Sequence, residues 1–182
     1  MSRTGGKSAS KSEVSELLEE RRVVLSGGYA GLEYGSIAEL VLREGRDYET
    51  VLRDSEHGHE PDAPRECFRN AAMLSAMHSE LSYVEGYASF GLGIAVMHAW
   101  CVDAEGRVVD TTWAGEEAEE VVLGGTPEYR GIELPRRLVY LAARVTGVYG
   151  VFDDLPNGFP ALSLSPFSVQ GLLEVYEGLR RQ

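Results

Sequence analysis

The stretch GIAVMHAWCVDAEGRVVDTTW, residues 93–113, constrains this chain more than any other, because it reads as a hairpin whose register can be derived. Ile94 to Val102 is rich in β-branched and aromatic residues and runs into a turn signal. Gly106 suits a three-residue loop, Ala104 to Gly106, in which a type I turn is closed by a left-handed glycine. That loop pairs Asp103 with Arg107, Trp100 with Asp110 and His98 with Thr112. His98 and Asp110 then share one face as diagonal neighbours, with α-carbons about 7–8 Å apart. A loop of two or four residues would send Asp110 to the face opposite His98. Cys101 falls on the other face, as a small buried hydrophobe.

Upstream, PRECFRNAA opens a helix expected over residues 64–78, with Asp62 as N-cap and Pro64 in its first turn. Phe68, Ala71, Ala72, Leu74, Ser75 and Met77 make it apolar or small on nearly every side, so it is expected to be buried. Cys67 lies near its positive end, where the helix dipole favours a thiolate. A single buried cysteine is more often core filler. The combination argues otherwise: Cys67, His98 and Asp110 occur in the order nucleophile, base, orienting acid. A cysteine nucleophile needs a base, and the base needs a partner to fix its tautomer.

The remaining chain frames this core. Residues 1–12, MSRTGGKSASKS, form a Ser/Gly/Lys arm with nothing to bury, a possible contact for a protein partner, and residues 13–182 form one domain. Glu13 to Arg22 carries a narrow apolar stripe of Val14, Leu17 and Leu18 and reads as a helix. The glycines at 27, 28, 31 and 35 form a linker rather than a phosphate cradle, since no Lys-Ser/Thr follows. Ser36-Ile-Ala-Glu39 is a capping box for a helix through Arg43, with Gly45 as its stop. A short helix is expected over Tyr48 to Arg53, then a polar loop. Tyr83 to Ser89 is a strand, completing a three-stranded antiparallel sheet with the hairpin. The acidic run Glu116 to Glu120 reads as a solvated segment. Leu134-Pro135 opens a helix ending at Gly147, Val148 to Phe152 reads as a strand, Asp153 to Pro160 as a loop, and Ser165-Pro166 caps a final helix. The fold class is α+β, an antiparallel sheet packed on the cysteine helix.

Composition excludes several functions. Net charge is −12 with scattered basic residues, which argues against nucleic acid. No apolar run approaches the roughly 20 residues that span a bilayer, and the start lacks the apolar stretch of a signal peptide. Two cysteines with separate roles leave no disulfide framework, so a reducing, cytoplasmic setting is expected. His57 and His59 could ligate a metal with Asp54, Glu60 or His98, but no CxxC or HExxH pattern supports this, and neither metal nor cofactor is expected.

Cys67-Phe-Arg-Asn-Ala, His98-Ala-Trp100 and Gly106-Arg-Val-Val-Asp110-Thr-Thr-Trp113 together resemble the core of transglutaminase-like cysteine enzymes, a branch of the papain-like superfamily. The resemblance covers about residues 60–115. Tyr129-Arg-Gly-Ile-Glu-Leu-Pro135 and Tyr149-Gly150 are similar to uncharacterised bacterial and phage proteins with this core. It implies Cys67 as nucleophile, His98 as general base and acid, and Asp110 as orienting carboxylate. No Gln or Trp shortly before Cys67 offers an oxyanion donor, which leaves the Cys67 backbone N–H and a second group. Trp100, on the His98 face, Glu85, on the next strand, and Asn70, one turn beyond Cys67, are the candidate substrate-binding residues. The expected function is attack on an amide or related acyl bond of a peptide, protein or small substrate, by hydrolysis or acyl transfer. The alternative is a binding or structural module keeping the same fold.

Overall fold

The computed structural model describes residues 12–25, 31–48, 66–89, 91, 93–113 and 127–181. Among them six helices run in chain order as α1 (Glu13–Leu25), α2 (Ile37–Glu44), α3 (Cys67–Met77), α4 (Arg136–Thr146), α5 (Pro160–Ser163) and α6 (Val169–Leu179). The strands are β1 (Arg46–Tyr48), β2 (Ser82–Ser89), β3 (Ala95–Val102), β4 (Val108–Val109) and β5 (Glu128–Leu134). They form one antiparallel sheet in the order β1-β5-β2-β3-β4. The class is α+β, as expected, but two strands were not anticipated. β5 inserts beside β2, and β1 takes the place of the start of the helix expected from Tyr48, which pairs with Tyr129. The rest of that expected helix, the polar loop after it and the acidic run at 116–120 lie outside the described residues, as does the N-terminal arm to residue 11.

The β3–β4 hairpin has the register derived from its loop. Cys101 pairs with Val109 and Val102 with Val108. Gly106 adopts φ +78°, and its N–H donates to the Asp103 carbonyl over 2.9 Å. Asp103 Oδ1 also accepts from the Glu105 and Arg107 amides, at 3.0 and 2.8 Å, so the turn is closed from two sides.

Helix signals were mostly local and mostly correct. Ser36 Oγ accepts from the Glu39 amide at 3.1 Å. Glu39 reaches back one residue further than a capping box requires, to the Gly35 amide. Gly147 closes α4 in the left-handed region, whereas Gly45 ends α2 with φ −84°. Two expectations fail. Val148 to Phe152 forms bends rather than a strand, and the last helix is capped by Ser168, whose Oγ accepts from Gly171 N–H, with Ser165-Pro166 a cis peptide before it.

Strand alternation divides the core in two. On one face Tyr83, Tyr87, Ala99, Cys101 and Ile132 pack against α1, α2, α3, α4 and α6. On the other, Tyr48, Val84, Ala88, Trp100, Val102, Val108 and Tyr129 form a smaller aromatic cluster with Trp113. Each fully buried Leu or Phe in these clusters contributes about 1.5–3 kcal/mol. Gly131 is required by close approach: a Cβ there would lie 2.7 Å from Trp100 Cη2. The α3 helix is not buried all round, since Arg69, Met73 and Met77 leave an exposed stripe.

Glu85 lies on the helix-packed face by alternation with Tyr83 and is 0% exposed. Its carboxyl accepts from the Val151 and Phe152 amides, at 2.8 and 2.9 Å, and from Tyr83 Oη at 3.0 Å. The Val151 and Phe152 amides, which a strand would pair, thus bond a buried side chain instead, while the Val148 amide bonds Thr146 Oγ1. Burial pushes the Glu85 pKa up to about 7 against those opposing hydrogen bonds. A carboxyl whose folded pKa is raised favours folding in its neutral form. Its contribution is therefore complete below its ordinary pKa of about 4.5 and disappears as pH rises through about 7, a change on the order of 3 kcal/mol. Glu85→Gln should flatten the fall in Tm between pH 5 and pH 8. An unchanged slope in the variant would contradict the assignment.

Candidate active site

β4 stops at Val109, and there the chain leaves the ladder and wraps around His98. Because Trp100 stands opposite the position of Asp110, both carry side chains to the His98 face. His98 Nε2–H donates to Asp110 Oδ2 over 2.6 Å, with the two side chains 2% and 6% exposed. Two more donors hold the carboxylate. Tyr129 Oη donates to Oδ2 at 3.1 Å, and the Thr112 amide to Oδ1 at 3.0 Å. Thr112 Oγ1 in turn accepts from Asn70 Nδ2 at 3.1 Å. Asn70 lies on α3 one turn beyond Cys67, so the cysteine helix is tied to the loop that carries Asp110.

Cys67 is the first residue of α3 and is nearly buried. It acts on the His98 ring both as a hydrogen-bond partner and through charge. With Nε2 engaged by Asp110, Nδ1 is the nitrogen left to the thiol. Burial pulls the His98 pKa down, but the Asp110 charge and hydrogen bond outweigh it, and Cys67 adds to them, lifting it to about 9. The ring is therefore an imidazolium at neutral pH, able to hold a negative sulfur beside it. Glu66, the N-cap of α3, makes no side-chain capping bond, so its carboxylate does not compete for the first-turn amides.

The three residues read as a triad are thus brought together, but the candidate substrate contacts are not. Glu85 is wholly buried on the opposite face of the sheet, clamping residues 151 and 152, and is removed from the cleft. Trp100 is 1% exposed, a core wall behind the histidine, its ring centroid 6.2 Å from that of His98. Asn70 is 3% exposed and anchors the helix through Thr112. The aromatic directly on the imidazole is Trp113, stacked at 3.7 Å and 8°, where its π face favours the cationic form. Trp113 was legible as the end of the Val-Asp-Thr-Thr-Trp run without a role attached. Tyr129 opened the Tyr-Arg-Gly-Ile-Glu-Leu-Pro run without a role attached; its bond to Asp110 reaches over β2 and β3, a proximity that only the fold creates.

Cys101 faces the helix-packed core as expected, its Sγ donating to the Ala71 carbonyl at 3.3 Å. Desolvation pushes its thiol up to about 12. Among the described residues no group of three His, Cys, Asp or Glu side chains is arranged to hold a metal ion. His57, His59, Asp54 and Glu60 lie outside those residues. No helix among them is long and apolar enough to cross a membrane. Comparison with family models, with curated proteins and with solved structures finds no match.

Two measurements check this geometry. In an NMR pH titration the folded protein's His98 should titrate near 9. In Asp110→Asn, burial without the counter-charge should drop it below the ordinary 6.5. A His98 pKa unmoved by that substitution would mean that the pair does not set the ring's charge. Iodoacetamide should label Cys67 beside its imidazolium and leave Cys101 almost untouched until the protein unfolds. Equal rates in the folded state would refute the division between the two thiols.

Proposed function

We propose that this chain is a thiol enzyme that attacks an amide or related acyl bond, with the transglutaminase-like, papain-like arrangement that its motifs resemble. The observation that carries the proposal is His98, which bonds an Asp110 carboxylate held by two further donors and also feels the Cys67 side chain through a hydrogen bond and charge. In the reacting form the Cys67 sulfur is a thiolate beside the His98 imidazolium, and it attacks the acyl carbon. The carbonyl electrons move to oxygen, and the Cys67 backbone N–H, among the first amides of α3 without an intrahelical acceptor, donates to it. As the tetrahedral species collapses, His98 delivers its proton to the departing amine, leaving a thioester on Cys67. Water or an acceptor amine then gives a proton to His98 and displaces the sulfur as thiolate, restoring the thiolate–imidazolium pair. Asp110 keeps Nε2 protonated throughout and stabilises the imidazolium. No metal or cofactor enters this sequence, and the substrate is a peptide, protein or small acyl compound.

Trapping on a library of peptides and acyl thioesters, read by mass spectrometry, identifies a substrate through the adduct mass on Cys67. With it, Cys67→Ala should reduce turnover to background. His98→Ala should cost on the order of 10²–10⁴-fold, the range of general acid–base catalysis. Asp110→Asn should cost less, since a thiol needs less help from an oriented base than a hydroxyl does. Circular dichroism should remain close to that of the parent for Cys67→Ala. Undiminished turnover in Cys67→Ala would sink the thiol mechanism.

A further inference from the structure

A second site stands on charges that the proposed chemistry does not use. Residues 134–182 hold five arginines against four carboxylates, in a chain whose net charge is −12. Four of those arginines converge. Arg137 and Arg144 of α4, with Arg180 and Arg181 at the end of α6, line one cavity of about 320 Å³ that also takes in Tyr140 and Glu177. Glu177 is engaged by Arg137 through its carboxylate and by Arg181 through its carbonyl. Among the described residues the guanidinium groups of Arg144 and Arg180 have no hydrogen-bond or ion-pair partner. The helix dipole explains a cation in the last turn of either helix taken singly. It does not explain why two helices turn four guanidinium groups into one hollow with a single carboxylate among them.

We propose that this cavity binds a small ligand that combines two or more phosphates with a flat aromatic base, of the nucleoside diphosphate kind. Four guanidiniums against one carboxylate leave about three positive charges to be matched, and guanidinium forks suit phosphate oxygens bidentately. Tyr140 is 68% exposed and offers an aromatic face for the ring. The volume lies at the lower end for small-molecule sites, which fits a compact ligand rather than a large one. The site stands apart from the triad and does not rest on the proposed reaction.

Calorimetric titration of the full chain at about 0.15 M salt tests this, with a nucleoside diphosphate, inorganic pyrophosphate, the unphosphorylated nucleoside and an oligoglutamate peptide as probes. The nucleoside diphosphate should bind, pyrophosphate more weakly, and the nucleoside not at all. The double variant Arg144→Gln/Arg180→Gln should weaken both phosphate probes at least tenfold. Both positions are exposed, so circular dichroism should be unchanged. Tyr140→Ala should bring the nucleoside diphosphate down to the level of pyrophosphate and leave pyrophosphate itself unaffected. The proposal is overturned if neither phosphate probe binds, if the double variant binds them as the parent does, or if oligoglutamate binds more tightly than either.

Discussion

The buried charge pair of His98 and Asp110 is the interaction on which the rest of the structure depends. Removing two charges from water costs several kcal/mol for each ion, and mutual attraction offsets this only when the remaining valences are also met. Here they are met from three directions. Tyr129 comes from β5, the Thr112 amide from the turn after β4, and Trp113 closes the ring face. Each of these groups belongs to a segment distant in the sheet or off the ladder. The pair therefore fixes where β5 runs, where β4 ends and how the following turn folds back.

That demand also explains the two faces of the sheet. β2 carries Glu85 to one side, while Gly86, opposite His98, faces the other. Glu85 and Asp110, one on each face, are both buried acids with several donors, but they do different work. Glu85 organises the backbone of residues 151 and 152 and is stabilised in its neutral form. Asp110 faces an imidazolium and is bonded as an anion. A one-residue slip of β3 against β2 would exchange the two environments, which is why register matters more here than strand length.

The hairpin and the order of its chemistry were legible because both depend on local rules. Gly106 selects the loop, the loop selects the register, and the register puts Asp110 on the His98 face. Cys67 at the head of a helix, and Cys101 on the far face, follow from the same kind of short-range evidence. What was not legible is long-range. Glu128 to Leu134 has charges at 128, 130 and 133 with a glycine at its centre, so its alternation breaks at Gly131-Ile132 and periodicity gives no clear strand. Its identity comes from pairing with β2 and β1, and Gly131 is needed because Trp100 lies on it. Val148 to Phe152 shows the converse. Its composition favours a strand, but its amides are taken by Glu85, so no ladder forms. Glu85 was misplaced for the same reason, since a strand glutamate is ordinarily at the surface, and nothing local signals the two amides that receive it.

Two of the reactive groups lie where regular pairing stops, and the third, His98, lies where β3 is paired on the β2 side alone. Cys67 begins a helix whose first amides have no intrahelical acceptor. Asp110 follows the last paired residue of a two-residue strand, and the part of β3 around His98 extends beyond the reach of that strand. Termini of regular elements are where backbone donors are left over and side chains are free to approach one another. A longer β4 would have continued the ladder past Asp110 and carried Thr112 into a pair with His98. The Thr112 amide would then have served a strand instead of the carboxylate, and Asn70 would have lost its anchor on the turn. Shortening one edge strand thus supplies, in a single step, the donor that fixes the acid and the tether that holds the cysteine helix beside the base.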